Sequence, residues 1–221
     1  MISRITSDEL IGSRIKEIFK SAETVADLHG CITSSRGNNF RLQLLQAAGA
    51  PLSEEAIEQL RAASGINEYR RHLNRLLQFG LLQVEEGEAG RFYTRTDLGE
   101  KGVNALRELE RRIGKEEADV IYETSLGPNS IRLFLRVYGN KREADWDQLQ
   151  LRYTPAEIGR LSIFLPRVIE EISAIDRLNE ADLLVYRDDG YVHMQPTKAR
   201  GFYQYLQTLL EIVTDNADSL N

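Results

Sequence analysis

One cysteine in 221 residues, Cys31, leaves no internal disulfide framework and suits a reducing compartment. Long apolar runs are missing as well: none approaches the roughly 20 residues that cross a bilayer, so no membrane partner is expected. The opening stretch MISRITSDELIGSRIKEIF lacks a continuous apolar core and a small-residue cleavage site, which predicts no secretion signal and a cytoplasmic location. Histidines number three, His29, His72 and His193, and none sits at a spacing that builds a metal site. His29 and Cys31 offer two zinc ligands with no further histidine or cysteine nearby to complete a tetrahedron. There is no P-loop, dinucleotide fingerprint or nucleophile elbow. The sequence therefore predicts a protein that is not an enzyme, with no catalytic residue, metal or cofactor. Cys31 could serve as a redox sensor if its thiol were exposed and its pKa lowered.

What is present is the composition of a globular protein, 42% hydrophobic and 28% charged, long enough for one large domain or two small ones. The net charge of −6 is unevenly spread. Residues 36–112 carry 12 Lys and Arg against 11 Asp and Glu, whereas residues 113–221 carry 12 against 18. The acidity belongs to the second half, and the middle segment is free to present a basic face.

Periodicity and punctuation divide the chain further. Residues 7–28 read as a helical region, with Ser7 as a cap and Leu10, Ile11, Ile15, Ile18 and Phe19 at helical spacing. HGCITSSRGNN, residues 29–39, reads as a loop. NFRLQLLQAA is a short helix stopped by Gly49 and Pro51, and a second helix starts at Ser53 and runs to about Ala63. After the Ser64-Gly65 break, NEYRRHLNRLLQFGLL predicts a helix over 66–79 ended by Gly80. LLQVEE and GRFYTRT flank GEA as a hairpin, and Thr96-Asp97 begins another helix.

The second half follows the same plan. NSIRLFLRVYG is a helix and LQLRYT a short strand. TPAEIGRL is a capping box on Thr154 and Glu157, and LPRVIEEISAIDRL a helix with a seam at Leu165, Ile169, Ile172 and Leu178. LLVYRDDGYVHM is a hairpin turning on Asp189-Gly190, and PTKARGFYQYLQTLL a closing helix. The repetition points to internal duplication.

Three motifs carry a resemblance over residues 38–112: the Ser64-Gly65 break before Ile66–Phe79, the FGLL exit, and RFYTRTDLGEKG. Together, in this order, they resemble the winged helix-turn-helix superfamily, regulators of the MarR and ArsR type. The resemblance implies a mainly α fold with small β-hairpins (α+β), as two winged-helix units in tandem plus an N-terminal helical region. The expected divisions are 1–37 for that region, 38–112 for the first unit, 113–129 for a helical linker and 130–221 for the second unit.

The same resemblance implies that helix 66–79 enters the major groove of double-stranded DNA. Asn67, Arg70, Arg71 and Asn74 would face the bases, Arg75 the phosphates, and Arg91 and Arg95 the backbone or minor groove from the hairpin. Ile66, Leu73, Leu76 and Leu77 form an apolar seam on the opposite side. A solvated face that touches nothing is the plain alternative for these polar residues. Glu68, Glu85, Glu86 and Glu88 oppose a DNA contact. The second-unit helix, with Glu170, Glu171 and Asp176 against Arg167 and Arg177, is not expected to read DNA. Tyr186, Tyr191, Phe202, Tyr203, Tyr205 and Trp146 would line a ligand pocket or an interface, or else pack the core.

Two functional expectations follow. One is a cytosolic transcriptional regulator, acting as a homodimer because one helix covers only a few base pairs. The other is a protein–protein adaptor, such as an accessory subunit of a chromosome-condensing complex, engaging a protein partner through residues 130–221.

Overall fold

The computed structural model describes residues 7–33, 39–88, 90–140, 151–162 and 168–219. In chain order these form α1 (Ser7–Lys20), α2 (Ala22–Ile32), α3 (Phe40–Ala47), β1 (Leu52–Ser53), α4 (Glu54–Ser64), α5 (Tyr69–Gln78), β2 (Leu82–Gly87), β3 (Gly90–Arg95) and α6 (Asp97–Ile113). There follow α7 (Lys115–Glu123), α8 (Pro128–Gly139), β4 (Leu151–Tyr153), α9 (Pro155–Ser162), α10 (Val168–Glu180), β5 (Val185–Tyr186), β6 (Val192–Met194) and α11 (Pro196–Ser219). The fold is mainly helical with two small antiparallel sheets, an α+β class, and no described helix is long and apolar enough to cross a membrane.

Local chemistry sets where the elements begin. The Ser53 hydroxyl accepts from the Ala56 N–H at 3.2 Å and opens α4, and Thr96 accepts from the Gly99 N–H at 3.1 Å and opens α6. The expected capping box is formed: Thr154 Oγ1 accepts from the Glu157 N–H at 3.2 Å, while the Glu157 carboxylate accepts from the Thr154 N–H at 2.7 Å. Gly65 and Gly80, both at φ +66°, end α4 and α5 in the left-handed region that a side chain disfavours.

The two sheets share one topology. In the first the order is β1–β3–β2, with Tyr93 opposite both Leu52 and Val84; in the second it is β4–β6–β5, with His193 opposite both Arg152 and Val185. Each sheet therefore has the last strand of its hairpin in the centre. The lone strand between the first two helices covers one edge of it. The order helix, strand, helix, helix, hairpin, helix occurs twice, as α3 to α6 and as α8 to α11.

The helical region expected over 7–28 is present as two helices separated at Ser21. Two expectations are corrected. The loop expected over 29–39 starts later, because α2 continues to Ile32. Leu28, His29, Cys31 and Ile32 are buried, and the packing they gain outweighs the poor helix propensity of Gly30. The helical linker expected over 113–129 is, between α6 and α8, helical only over α7, Lys115–Glu123, which Gly114 at φ +92° sets apart from α6. In the second-unit seam Leu178 is buried, whereas Leu165 lies outside the described residues, as does Trp146.

A single buried cluster runs through both repeats, from Ile18 and Val25 through Leu76 and Leu106 to Phe134, Leu178 and Phe202. α11 lies along α6 and also touches α1 and α2, while α8 is packed by α1, α2 and α10. Phe202 sits edge-on to Phe134 at 4.9 Å, and Tyr203 stacks on Tyr138 at 4.5 Å. Three of the sequence's clustered aromatics, Phe202, Tyr203 and Tyr205, are therefore core, whereas Tyr186 and Tyr191 are exposed.

Close packing is most demanding where α6 enters behind the first hairpin. A Cβ on Gly99 would overlap the Leu81 carbonyl oxygen, a backbone atom that cannot swing aside. Gly99→Ala is expected to destabilise the protein by about 1–3 kcal/mol in urea unfolding; an unchanged midpoint would show that α6 can shift freely against the hairpin.

Candidate nucleic-acid interface

α5, YRRHLNRLLQ, is built mostly from good helix formers, Arg, Leu and Gln, with no internal glycine or proline, and its apolar positions fall on one side. Leu73 and Leu76 are buried, Leu77 is partly buried, and Ile66 just before the helix is also buried. These residues set α5 against α2, α3 and β2. Cys31 reinforces the contact, its Sγ lying 3.7 Å from the Arg75 carbonyl oxygen. The helix starts at Tyr69, so Asn67 and Glu68 lie in the approach to it rather than within it.

The opposite side is polar and open. Asn67, Arg70, Arg71 and Asn74 are all exposed, and neither Arg70 nor Arg71 enters an ion pair among the described residues. Arg70 is held above its ordinary pKa by the Tyr69 hydroxyl, with help from Glu54 and Glu58 on α4. Arg75 places its guanidinium 4.4 Å from the Phe79 ring centre and 4.0 Å from the Asp27 carboxylate. Five of the seven residues singled out in the sequence thus share one helix and its N-terminal approach.

The two hairpin arginines do not join them equally. Arg91 is exposed and bonded to Glu86 at 3.2 Å across the strand pair. Arg95 turns inward, with only 12% of its side chain exposed, to meet Glu100 at 3.1 Å and pack over Gly49. Its Nε and Nη1 are buried without partners. Glu85, Glu86 and Glu88 are exposed, so the hairpin presents carboxylates beside the single outward arginine.

Sequence reasoning missed Arg41, which sits within an apolar-looking helix. It is half-buried on α3, with burial lowering its pKa and the like charges of Arg75 and Arg71 adding to the effect. His72 packs edge-on to Phe40 at 5.7 Å, and burial followed by Arg41 and Arg71 lowers its pKa. Neither proximity follows from helical spacing, because α3 and α5 meet only after the chain has folded. Cys31 is buried and burial pushes its thiol up to about 11, which overturns the exposed, acidic thiol that redox sensing requires. Among the described residues no group of three or more His, Cys, Asp and Glu is placed to hold a metal.

In the second repeat, the counterpart helix α10 exposes Asp176, and its Arg177 is tied to Glu180 at 2.6 Å. Arg167 lies outside the described residues, and the Glu170 and Glu171 side chains are likewise not described. Comparison with protein-family models, with curated proteins and with solved structures finds no match to this chain.

Behind α5, His29 is wholly buried and its Nδ1 meets the Tyr205 hydroxyl at 3.0 Å. Burial lowers its pKa from 6.5 to about 4, so the folded protein holds it neutral while the unfolded chain takes up a proton near pH 6.5. Its contribution is therefore complete above pH 6.5 and is lost as the pH falls towards 4, by about 3 kcal/mol in all. Unfolding free energies of wild type and His29→Gln, compared across pH 7 to 4, are expected to converge on acidification; parallel curves would contradict a neutral buried imidazole.

Proposed function

We propose that the chain is a tandem winged-helix protein that binds double-stranded DNA through α5 and regulates transcription in the cytoplasm. The two repeats would be the winged-helix units, residues 38–112 and 130–221, joined by the segment 113–129. The observation that carries this is the pairing, on one short helix, of a buried leucine seam with an open face bearing Arg70, Arg71 and Asn74. Arginine forks suit guanine edges and asparagine suits adenine edges in the major groove, which is wide enough for a helix. Among the described residues neither arginine is spent on an ion pair, which suits both to exchange water for phosphate or base. A homodimer would supply the second half-site that one helix cannot cover.

A second proposal has support of its own. Glu86 neutralises Arg91, the hairpin's outward arginine, and Tyr186 and Tyr191 stand 49% and 40% exposed on the second hairpin. Carboxylates repel a phosphate backbone, whereas exposed tyrosines are common anchors of protein contacts. Both features suit an adaptor that docks a protein through residues 130–221 and does not read DNA.

Arg70→Ala with Arg71→Ala separates the two proposals. Both side chains are solvent-exposed, so thermal stability is expected to be nearly unchanged. Affinity for a selected duplex, read by fluorescence anisotropy, is expected to fall by about 2–6 kcal/mol. Unchanged DNA binding would remove α5 from the interface and leave the adaptor.

A further inference from the structure

We propose that the cavity behind α5, between α2, α3 and the α7–α8 turn, binds the phosphate group of a small molecule. This does not depend on whether α5 meets DNA. The cavity measures about 300 Å³ and is lined by Asp27, His29, Thr33, Arg41 and Arg75, with Gly127 and Pro128 of the α8 start closing one side.

Its lining is rich in donors and positive charge and poor in acceptors. Arg41 is half-buried, its Nε has no partner, and it forms no ion pair among the described residues. Arg71 and Arg75 stand beside it with like charge, and the group that meets it is Cys31, a thiol that hydrogen-bonds Arg41 but that burial keeps protonated. Half-burying a guanidinium with a neutral thiol as its partner and no carboxylate in an ion pair with it is costly, and an anion between Arg41 and Arg75 removes much of that cost. Asp27 is the single carboxylate in the lining; it stands at the long limit of an ion pair, 4.0 Å from Arg75, and is itself 60% exposed.

Two further features point the same way. α8 is a 12-residue helix whose N-cap is Gly127, with no side chain capping it and no acidic residue in its first turn. Such a terminus carries partial positive charge and suits an oxyanion. His29, which lines the cavity, is wholly buried and its Nε2 has no partner. Two guanidiniums and a helix start match the oxygens of a phosphate group better than a single carboxylate does. The volume leaves room for a small organic body attached to it. Arg75 belongs to the last turn of α5, so an occupied cavity would hold that helix directly.

The test is thermal unfolding of the full chain in chloride buffer, with inorganic phosphate or glycerol phosphate added at constant ionic strength. A saturable rise in Tm is expected for wild type. Arg41→Gln and Arg75→Gln should each weaken the apparent affinity about tenfold, the worth of one charge-assisted hydrogen bond. Arg75 is exposed, so its variant should fold normally even if Arg41→Gln does not. Asp27→Asn should tighten binding several-fold by removing the competing carboxylate, an effect no purely structural role predicts. Absence of a saturable rise in wild type, or an apparent affinity unchanged in Arg75→Gln, overturns the proposal. So does protection by a short DNA duplex but by neither phosphate compound, which would assign the cavity to the nucleic-acid backbone.

Discussion

The close approach of α6 and α11, the closing helices of the two repeats, is the constraint on which the rest of the structure depends. Gly201 makes it possible: a Cβ there would overlap the Ile113 side chain and come into ordinary van der Waals contact with Arg112 and Leu109. Because the helices meet, the apolar faces of both repeats merge into one buried cluster instead of two small ones. Lys198, 5% exposed on α11, completes the join through Glu117 on α7 and Asp182 at 3.7 Å. A buried lysine so paired specifies register more than it adds stability.

That join decides which surfaces remain open. α1, α2 and α8 are drawn into the space between the repeats, and α10 is packed on α8. α5 is held by α2, α3 and the first hairpin along its leucine seam, which leaves its arginine and asparagine side uncovered. The repeats thus share topology but differ in what they present. The first offers an open basic helix, and the second offers exposed tyrosines and exposed acids such as Asp176 and Asp188. Similar backbones with opposed surface charge suit different partners.

Much of this organisation was legible in the residues because it is local. Thr154 with Glu157, Thr96 before Gly99, and the Asp189-Gly190 turn each act within a few positions, and each element lies where its motif placed it. β1 escaped notice because two residues, Leu52 and Ser53, carry no alternation; they become a strand only by pairing with Tyr93 and Phe92 some forty positions away. The helical path through Gly30 was hidden for the same reason, since Cys31 and Ile32 are held by packing rather than by propensity. At the candidate interface, spacing brought Arg70, Arg71 and Asn74 to one face correctly. It had no means of showing that Arg95 folds back onto Glu100, or that Arg41 arrives beside Arg75 from another helix.

The central claim is that an acidic chain nonetheless carries a helix able to engage phosphates and bases. Fluorescence anisotropy of the purified protein with a random-sequence duplex, at about 50 and 200 mM salt, tests it most directly. Several phosphate contacts predict binding in the micromolar range at low salt that weakens a hundredfold or more at the higher salt. No binding at low salt would contradict it, and would mean that the acidic second half and the hairpin glutamates dominate the encounter.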